Sequence, residues 1–501
     1  MGRELVRQGR FAIVWTAREG QIMHVAFFGT FGLWAHHTGT ELEIAERHLE
    51  AGDEVTWVLC DAAFASCEPN PGHDAVQCRA CRMGVERGLG LLGGEVRVLE
   101  LSKLLTDEDR RRLEGIPIGI GSMEELKGLY LDECDIGWGA LSSAVWLAKD
   151  ANIDPAGELV DRLLRTAGTA YLGTRRLLEN HAIDRVYAFN GRMAPMRGIL
   201  RGARSMGVDC FIHERGKDLQ HYGLFENAMP HDIAATRERV EAVWAGSEHS
   251  EEERRTLGAG WFEGRPRGQM GSWISFVRGQ SQNELPDTWD PARHNVALFT
   301  TTEHEFVSIG KEWESPLFES PHAATVAIAR AISELPGDDV HLTIRIHPNP
   351  EGAKSSNVSD MVGWNLRNVT VIPPDSAVST YALMREANVV VTSGSTAGIE
   401  ATFWQRPSVL AGRGLYAGLG AAYEPASMEE LMAMLVDRSL PVADRDGALR
   451  YGYYQATRGI PYRFFEPDGL FEGAFKGQEI KPTRMQRKLL RFHRKVSAFW
   501  N

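Results

Sequence analysis

The stretch Val389-Val390-Val391-Thr392-Ser393-Gly394-Ser395-Thr396-Ala397-Gly398-Ile399-Glu400 constrains the fold of this chain more than any other. Three consecutive valines suit a strand buried on both faces, the small residues that follow suit a tight turn, and the spacing then becomes helical. A strand that runs into a helix N-terminus offers backbone N–H groups, hydroxyls and the positive end of a helix dipole to an anion. Earlier in the chain, the segment from His341 to Pro350 alternates as a strand and carries Arg345 and His347 on one face before prolines end it. A cation and an imidazole are costly to bury together unless an anion or carboxylate answers them. Both stretches therefore predict one phosphate-binding cleft.

The rest of the chain repeats the strand, helix, strand rhythm of an α/β fold. Met23 to Phe28 reads as a strand, Gly29 to Thr40 as a Gly- and His-rich loop, Glu41 to Glu50 as a helix stopped by Gly52, and Val55 to Cys60 as a second strand. Ligands of such folds bind beyond the carboxyl ends of the strands, which places His36 and His37 at a cleft. Arg185 to Asn190 and Val208 to His213 read as further strands, separated by a helix from Ala194 to Met206. A polar, Gly-rich region from about residue 245 to 293 then precedes a new α/β series that opens at Asn295. The expected domains are residues 23–290, residues 291–475 and a basic tail, 476–501. Each of the two domains is expected to be a doubly wound, Rossmann-type α/β layer structure facing a central cleft.

A chain of 501 residues, 43% hydrophobic, can bury more than one core. Its formal net charge of -12 argues against a general nucleic-acid binder, so any basic function must be local. No apolar run reaches the length of a membrane span and no secretory signal is visible, so a cytoplasmic setting is expected. Residues 1–21 precede the first strand and are left out of the fold argument.

Ser393-Gly394-Ser395-Thr396-Ala397-Gly398-Ile399-Glu400-Ala401, followed by Gln405-Arg406-Pro407-Ser408-Val409 and by Gly412-Arg413-Gly414-Leu415-Tyr416-Ala417-Gly418-Leu419-Gly420, resembles the capsule polysaccharide biosynthesis family of GT-B glycosyltransferases, which includes Kdo transferases. Arg345-x-His347-Pro348 matches the same family. The resemblance is clearest over residues 295–425 and looser over 23–216. It implies a GT-B-like enzyme that moves a sugar, with Kdo from CMP-Kdo as one donor, from a nucleotide-sugar to a glycan or glycolipid acceptor, and it implies no obligatory metal for catalysis. Arg345, His347, Ser393, Gly394, Ser395, Thr396 and Arg413 are the expected donor-binding residues, and Glu400, one turn beyond Thr396, is expected to accept from ribose hydroxyls. The alternative is a simple serine-rich helix cap with a solvated Glu400.

Asn190-Gly191-Arg192 and Glu214-Arg215-Gly216 follow strand ends in the first half, and members of the family carry similar triplets at corresponding places. Asn190 and Arg192 are expected on the acceptor side, and Glu214 is the first candidate for the base that deprotonates the acceptor hydroxyl. A Glu214–Arg215 surface pair is the plain alternative, while His36, His37 and Asp135 compete for the role of base. A nucleotide-sugar 2-epimerase and a non-catalytic polysaccharide assembly protein are the other two readings of the chain.

Two further features stand outside that machinery. Cys60, Cys67, Cys78 and Cys81 form a C-x6-C-x10-C-x2-C series that could supply a structural zinc or an iron–sulfur cluster, with ordinary reduced thiols as the alternative. The tail from Lys481 to Asn501 is basic and interleaved with apolar residues, which suits a helix lying on the anionic inner-membrane surface or a solvated terminal helix.

Overall fold

The structure is a computed structural model that describes residues 22–269, 271, 276–277, 279–349 and 355–481. The chain divides into two compact units. The N-terminal unit takes in residues 22–147, 153–230 and 459–481, and the C-terminal unit takes in 148–152 and 231–458.

The strands of the N-terminal unit are β1 (His24–Gly29), β2 (Glu54–Leu59), β3 (Val96–Glu100), β4 (Arg185–Phe189), β5 (Asp209–Arg215) and β6 (His221–Glu226). Those of the C-terminal unit are β7 (His294–Phe299), β8 (Val340–Arg345), β9 (Val369–Ile372), β10 (Val389–Thr392) and β11 (Ser408–Leu410). The chain then returns to the N-terminal unit with β12 (Ile460–Pro461), β13 (Phe465–Asp468), β14 (Glu472–Phe475) and β15 (Gln478–Glu479). Both units are α/β, with parallel strands at the centre of each sheet.

In the C-terminal unit the sheet order is β11-β10-β7-β8-β9, and every pair is parallel. The direction of winding reverses between β7 and β10, which opens a crevice at their carboxyl ends. Alternate residues feed two cores. Val296, Leu298, Val389 and Val391 pack with Ile328 and Ile332 of helix Pro321–Glu334 on one face. Ala297, Phe299 and Val390 pack with Leu383 and Met384 of helix Thr380–Glu386 on the other. With both faces sealed, the carboxyl edge is where polar side chains can gather.

The N-terminal unit repeats the order as β3-β2-β1-β4-β5, extended by β6 and β12, both antiparallel to their neighbours. Phe27 of β1 stacks between Trp57 and Tyr187, with ring centroids 5.1 Å apart on each side, so an aromatic band crosses the central strands. The returning segment is latched by Glu43 of helix Ala35–Ala51. Its carboxylate is fully buried and accepts backbone hydrogen bonds from Arg463 (3.0 Å), Phe464 (2.7 Å) and Phe465 (3.0 Å).

Two expectations are corrected. The boundary falls at Pro230/His231, not at 290/291, because the region expected to be a polar separator contains helices Ile233–Ala245 and Glu251–Gly264, which pack into the C-terminal unit. Helix Glu251–Gly264 approaches helix Arg445–Thr457 closely: a Cβ on Gly258 would lie 2.4 Å from the Leu449 carbonyl oxygen, and one on Gly452 would lie 2.5 Å from that of Gly258. The second correction concerns residues 459–475 and the start of the basic tail, which belong to the N-terminal unit, where Ile480 is buried in the core. Residues 482–501 lie outside the described residues. Among the described residues no helix is long and apolar enough to cross a membrane.

Replacing Gly452 with valine forces these two helices apart and should cost about 2–3 kcal/mol, as for an overpacked core. Urea denaturation of the purified variant reads it, and an unchanged midpoint would refute this account of the boundary.

Candidate functional site

The crevice of the C-terminal unit is built from the segments that leave β7, β8 and β10. A depression of about 570 Å³ is lined by Thr300, Arg345, His347, Ser395, Thr396 and Glu400, together with Arg265, Phe276 and Tyr381. A second, of about 560 Å³, shares Thr300 and His347 and adds Thr301, Thr302, His304, His322 and Ser393. The expected Arg345, His347 and Ser393–Thr396 groups are therefore brought to one place by the reversal of winding.

Arg345 ends β8 and is 2% exposed. Its Nη1 donates to the Pro373 carbonyl and its Nη2 to that of Ser376 at 3.2 Å, while Nε has no partner among the described residues. Burial lowers its pKa to about 10, a change partly opposed by Asp375. The guanidinium thus fixes the loop after β9 and keeps one buried N–H unanswered. Such a donor is costly without an acceptor.

His347 lies two residues beyond the end of β8, not within the strand as expected. Its backbone N–H donates to Thr300 Oγ1 at 2.9 Å, and its Nδ1 lies 3.1 Å from Thr302 Oγ1 and accepts from the Asn349 N–H at 3.2 Å. Because a backbone N–H can only donate, Nδ1 is unprotonated and the proton of the neutral ring sits on Nε2. Burial, with Arg345, Arg265 and His304 nearby, lowers its pKa to about 4. At neutral pH it is a hydrogen-bond donor without a charge.

Gly394 has φ 135°, a conformation that favours glycine, and a Cβ there would lie 2.3 Å from the Arg413 carbonyl oxygen. The turn is thereby pressed against the loop that carries Arg413, whose Nε also lacks a partner among the described residues. The helix that follows, Ala397–Phe403, has only seven residues. Several groups of the turn are already spoken for: the Ser395 N–H donates to Thr392 Oγ1 at 2.9 Å, and Tyr416 donates to the Ser395 carbonyl at 3.0 Å. Hydroxyls and arginine N–H groups, more than a long helix dipole, make this corner suited to an anion.

Glu400 is 3% exposed rather than solvated. Oε1 meets Arg265 Nε at 2.9 Å and Thr396 Oγ1 at 3.1 Å, and Oε2 accepts from the Tyr381 hydroxyl at 2.6 Å. Two hydrogen bonds and the Arg265 ion pair thus hold the buried carboxylate in place. Arg265, Tyr381 and Thr300 to Thr302 were not singled out from the sequence. The threonines carried a signal, since they directly follow the first strand of the second α/β series.

In the N-terminal unit, Asn190 and Gly191 take left-handed backbone at the end of β4, with φ 57° and 81°. Asn190 Nδ2 donates to Glu214 Oε2 at 2.8 Å, and the Arg215 N–H donates to Oε1 at 3.0 Å. Glu214 thus keeps lone pairs on both oxygens at the carboxyl edge of this sheet. Arg192 is buried beside that turn, its N–H 3.4 Å from Asn190 Oδ1.

The competing bases fare differently. Asp135 is corrected as a candidate: Arg197 Nη1 at 2.5 Å and Arg201 Nε at 2.8 Å bracket its carboxylate, and although burial pushes the other way, these partners hold its pKa below the usual range. A carboxylate so paired is a poor proton acceptor. His36 and His37 are not on a loop, because helix Ala35–Ala51 starts earlier than expected. His36 is 1% exposed, with burial and Arg215 lowering its pKa to about 4. The ring of His37 lies 3.8 Å from that of Phe189, and burial drives its pKa well below the ordinary value. Both are neutral and packed inside the fold. Cys60, Cys67, Cys78 and Cys81 are free thiols, none of them disulfide-bonded.

Fold and site together define a class: two α/β units with central parallel strands, one of them carrying a hydroxyl- and arginine-lined crevice at the reversal of its sheet. Residues 314–454 match the family described as "Capsule polysaccharide biosynthesis protein", the family that the sequence resembles. No curated protein matches the chain. Among solved structures, the beta Kdo 2,4 transferase of KpsC from Thermosulfurimonas dismutans is 13% identical, with 62% of this chain and 88% of that chain covered at a TM-score of 0.36. The beta Kdo 2,7 transferase of KpsC from the same organism is 11% identical, over 64% and 89%, at 0.32. A UDP-GlcNAc 2-epimerase from Neisseria meningitidis is 11% identical, over 88% and 96%, at 0.22.

The state of His347 is directly measurable. Its folded pKa is lowered to about 4, so the ring stays neutral as pH falls through the ordinary histidine range near 6.5. NMR of ring-labelled protein should show no titration of His347 between pH 8 and 5, and a midpoint near 6.5 would overturn the assignment.

Proposed function

We propose that the chain is a glycosyltransferase of capsule polysaccharide biosynthesis, and that its C-terminal unit binds a nucleotide-sugar donor in the crevice between β7 and β10. The observation that carries this reading is a coincidence of position. The segment that matches the capsule family, 314–454, contributes Arg345, His347, the Ser393–Thr396 turn and Glu400, and these residues line the depressions at the sheet's reversal. A neutral Nε2–H on His347 and the buried Nε of Arg345 suit phosphate oxygens, while the carboxylate of Glu400 suits a ribose hydroxyl.

In the transfer, a base removes the proton of the acceptor hydroxyl, its oxygen forms a bond to the anomeric carbon, and the bond from that carbon to the donor phosphate breaks. Arg345 and His347 stabilise the charge that accumulates on the leaving phosphate. Glu214 is the base in this proposal, held by Asn190 and by the Arg215 N–H with lone pairs to spare on both oxygens. The donor we favour is CMP-Kdo, on the family resemblance of the Arg345-x-His347-Pro348 and Ser393–Glu400 motifs. The acceptor is a growing surface glycan or glycolipid, and the basic tail holds the enzyme on the anionic inner face of the membrane.

Calorimetry with CMP, CDP, UDP and GDP identifies the nucleotide. His347→Ala should weaken the tightest of them by about 1–3 kcal/mol, the value of a hydrogen bond to a charged group, and unchanged affinity in a folded variant would remove the crevice from the donor site. Glu214→Gln preserves size but not basicity, so turnover should fall by about 10²–10⁴ with donor affinity nearly constant. Retention of more than about a tenth of the turnover clears Glu214 of the role. Product analysis without acceptor separates transfer from 2-epimerisation of the donor. Deleting 481–501 should abolish sedimentation with anionic vesicles at low salt, and equal sedimentation of both proteins would disprove membrane docking.

A further inference from the structure

The crevice of the C-terminal unit has two compartments, and they differ in chemistry. The depression lined by Arg265, Phe276, Arg345, Tyr381 and Glu400 offers two guanidinium groups, one carboxylate and flat or apolar walls, Val277 and Met384 among them. The depression lined by Thr301, Thr302, His304, Asn349 and Ser393 has no arginine among its described lining residues, and Lys149 and Glu303 bring one charge of each sign to it. Their volumes, about 570 and 560 Å³, both fall within the range of small-molecule sites, roughly 300–1,000 Å³.

The two compartments share a wall. Thr300 and His347 line both, and the His347 N–H donates to Thr300 Oγ1 at 2.9 Å. The turn after β10 also serves both, with Ser393 lining one and Ser395 and Thr396 the other. A ligand whose phosphate sits at His347 and this turn can therefore extend in two directions.

The polar compartment is built, yet its hydrogen bonding is incomplete. Thr301, two residues beyond β7, and Ser393, the first residue beyond β10, are each 8% exposed, and among the described residues neither hydroxyl has a hydrogen-bond partner. The groups around them are secured by the protein itself: Thr302 Oγ1 lies 3.1 Å from His347 Nδ1, Asn349 Nδ2 donates to Glu305 Oε1 at 3.3 Å, and Glu303 Oε1 accepts from the His322 N–H at 2.8 Å. Buried hydroxyls are costly to leave unpaired, so these two call for partners from a ligand. A nucleobase is flat with two apolar faces and suits walls such as Phe276 and Tyr381. A sugar ring carries hydroxyls around its edge, each a donor and an acceptor at once, and threonine and serine hydroxyls match it in both roles.

We propose that the compartment around Thr301 and Ser393 is the subsite for the sugar of the donor, with the nucleoside in the compartment around Tyr381 and Glu400 and the phosphate at the wall they share. The assignment rests on the reading of the crevice as a nucleotide-sugar site and adds the direction in which the donor lies. Thr301 and Ser393 then read the ring hydroxyls and help to set which sugar is accepted.

Calorimetry on the full chain compares CMP with CMP-Kdo, UDP with UDP-GlcNAc and GDP with GDP-mannose. Thr301→Val keeps the shape and removes the hydroxyl, so it should weaken the bound sugar conjugate by about fivefold, the value of one neutral hydrogen bond, while the free nucleotide stays within about twofold. Thr301→Ser should restore the affinity of the conjugate, and Glu400→Gln should weaken both forms alike. An effect of Thr301→Val on both forms equally, or on neither, overturns the proposal and leaves the donor site standing, as does a nucleotide that binds when its conjugate does not. Binding of no nucleotide and no conjugate removes the donor site itself, and the sugar subsite with it. If circular dichroism shows that Thr301→Val does not fold, Ser393→Ala takes its place with the same readings.

Discussion

A parallel sheet sealed on both faces has one place left for polar chemistry, and the C-terminal unit is organised by that constraint. Helices cover the alternate valines and leucines of β7, β8 and β10, so polar residues in the strands themselves would be stranded in a dry core. The segments leaving the strands are free of that restriction. Together with Arg345 at the very end of β8, they supply Thr300 to Thr302, His347 and Ser393 to Thr396, and the reversal of winding brings three separate stretches of sequence to one crevice. The same order in the N-terminal unit puts Asn190 and Glu214 at the equivalent ends of β4 and β5.

Within the crevice, groups that contact a ligand must themselves be positioned, and much of the observed bonding does this. Arg345 spends two of its nitrogens on loop carbonyls, His347 spends Nδ1 on its own turn, and Glu400 is held by Arg265, Thr396 and Tyr381. Arg345 keeps one N–H in reserve among the described residues. Fixing side chains before a ligand arrives reduces the ordering cost of binding.

What the sequence disclosed follows from the range over which each signal acts. Strands such as β10 and turns such as Ser393–Thr396 are local in composition, and their places along the chain were legible. The strand β3 was not, because its residues are only half buried and interrupted by Arg97 and Glu100. Asp135 looked like a base because nothing in its neighbourhood of sequence reveals Arg197 and Arg201, which are 62 and 66 residues away. His36 and His37 followed a glycine-rich stretch that reads as a loop, yet packing against Phe189 and its neighbours begins the helix at Ala35. Tertiary contact overrides local preference at such places.

The latch at Glu43 bears on how the molecule is made. The carboxylate sits in the first helix, and its backbone donors, residues 463–465, are translated only after the whole C-terminal unit. During synthesis the nascent N-terminal sheet therefore waits with β6 unpaired along one edge and with a charged group awaiting its partners. The second unit has every strand of its own sheet in one continuous stretch and is free to mature first. The part of this protein that emerges earliest from the ribosome is completed only by a segment translated after the C-terminal unit.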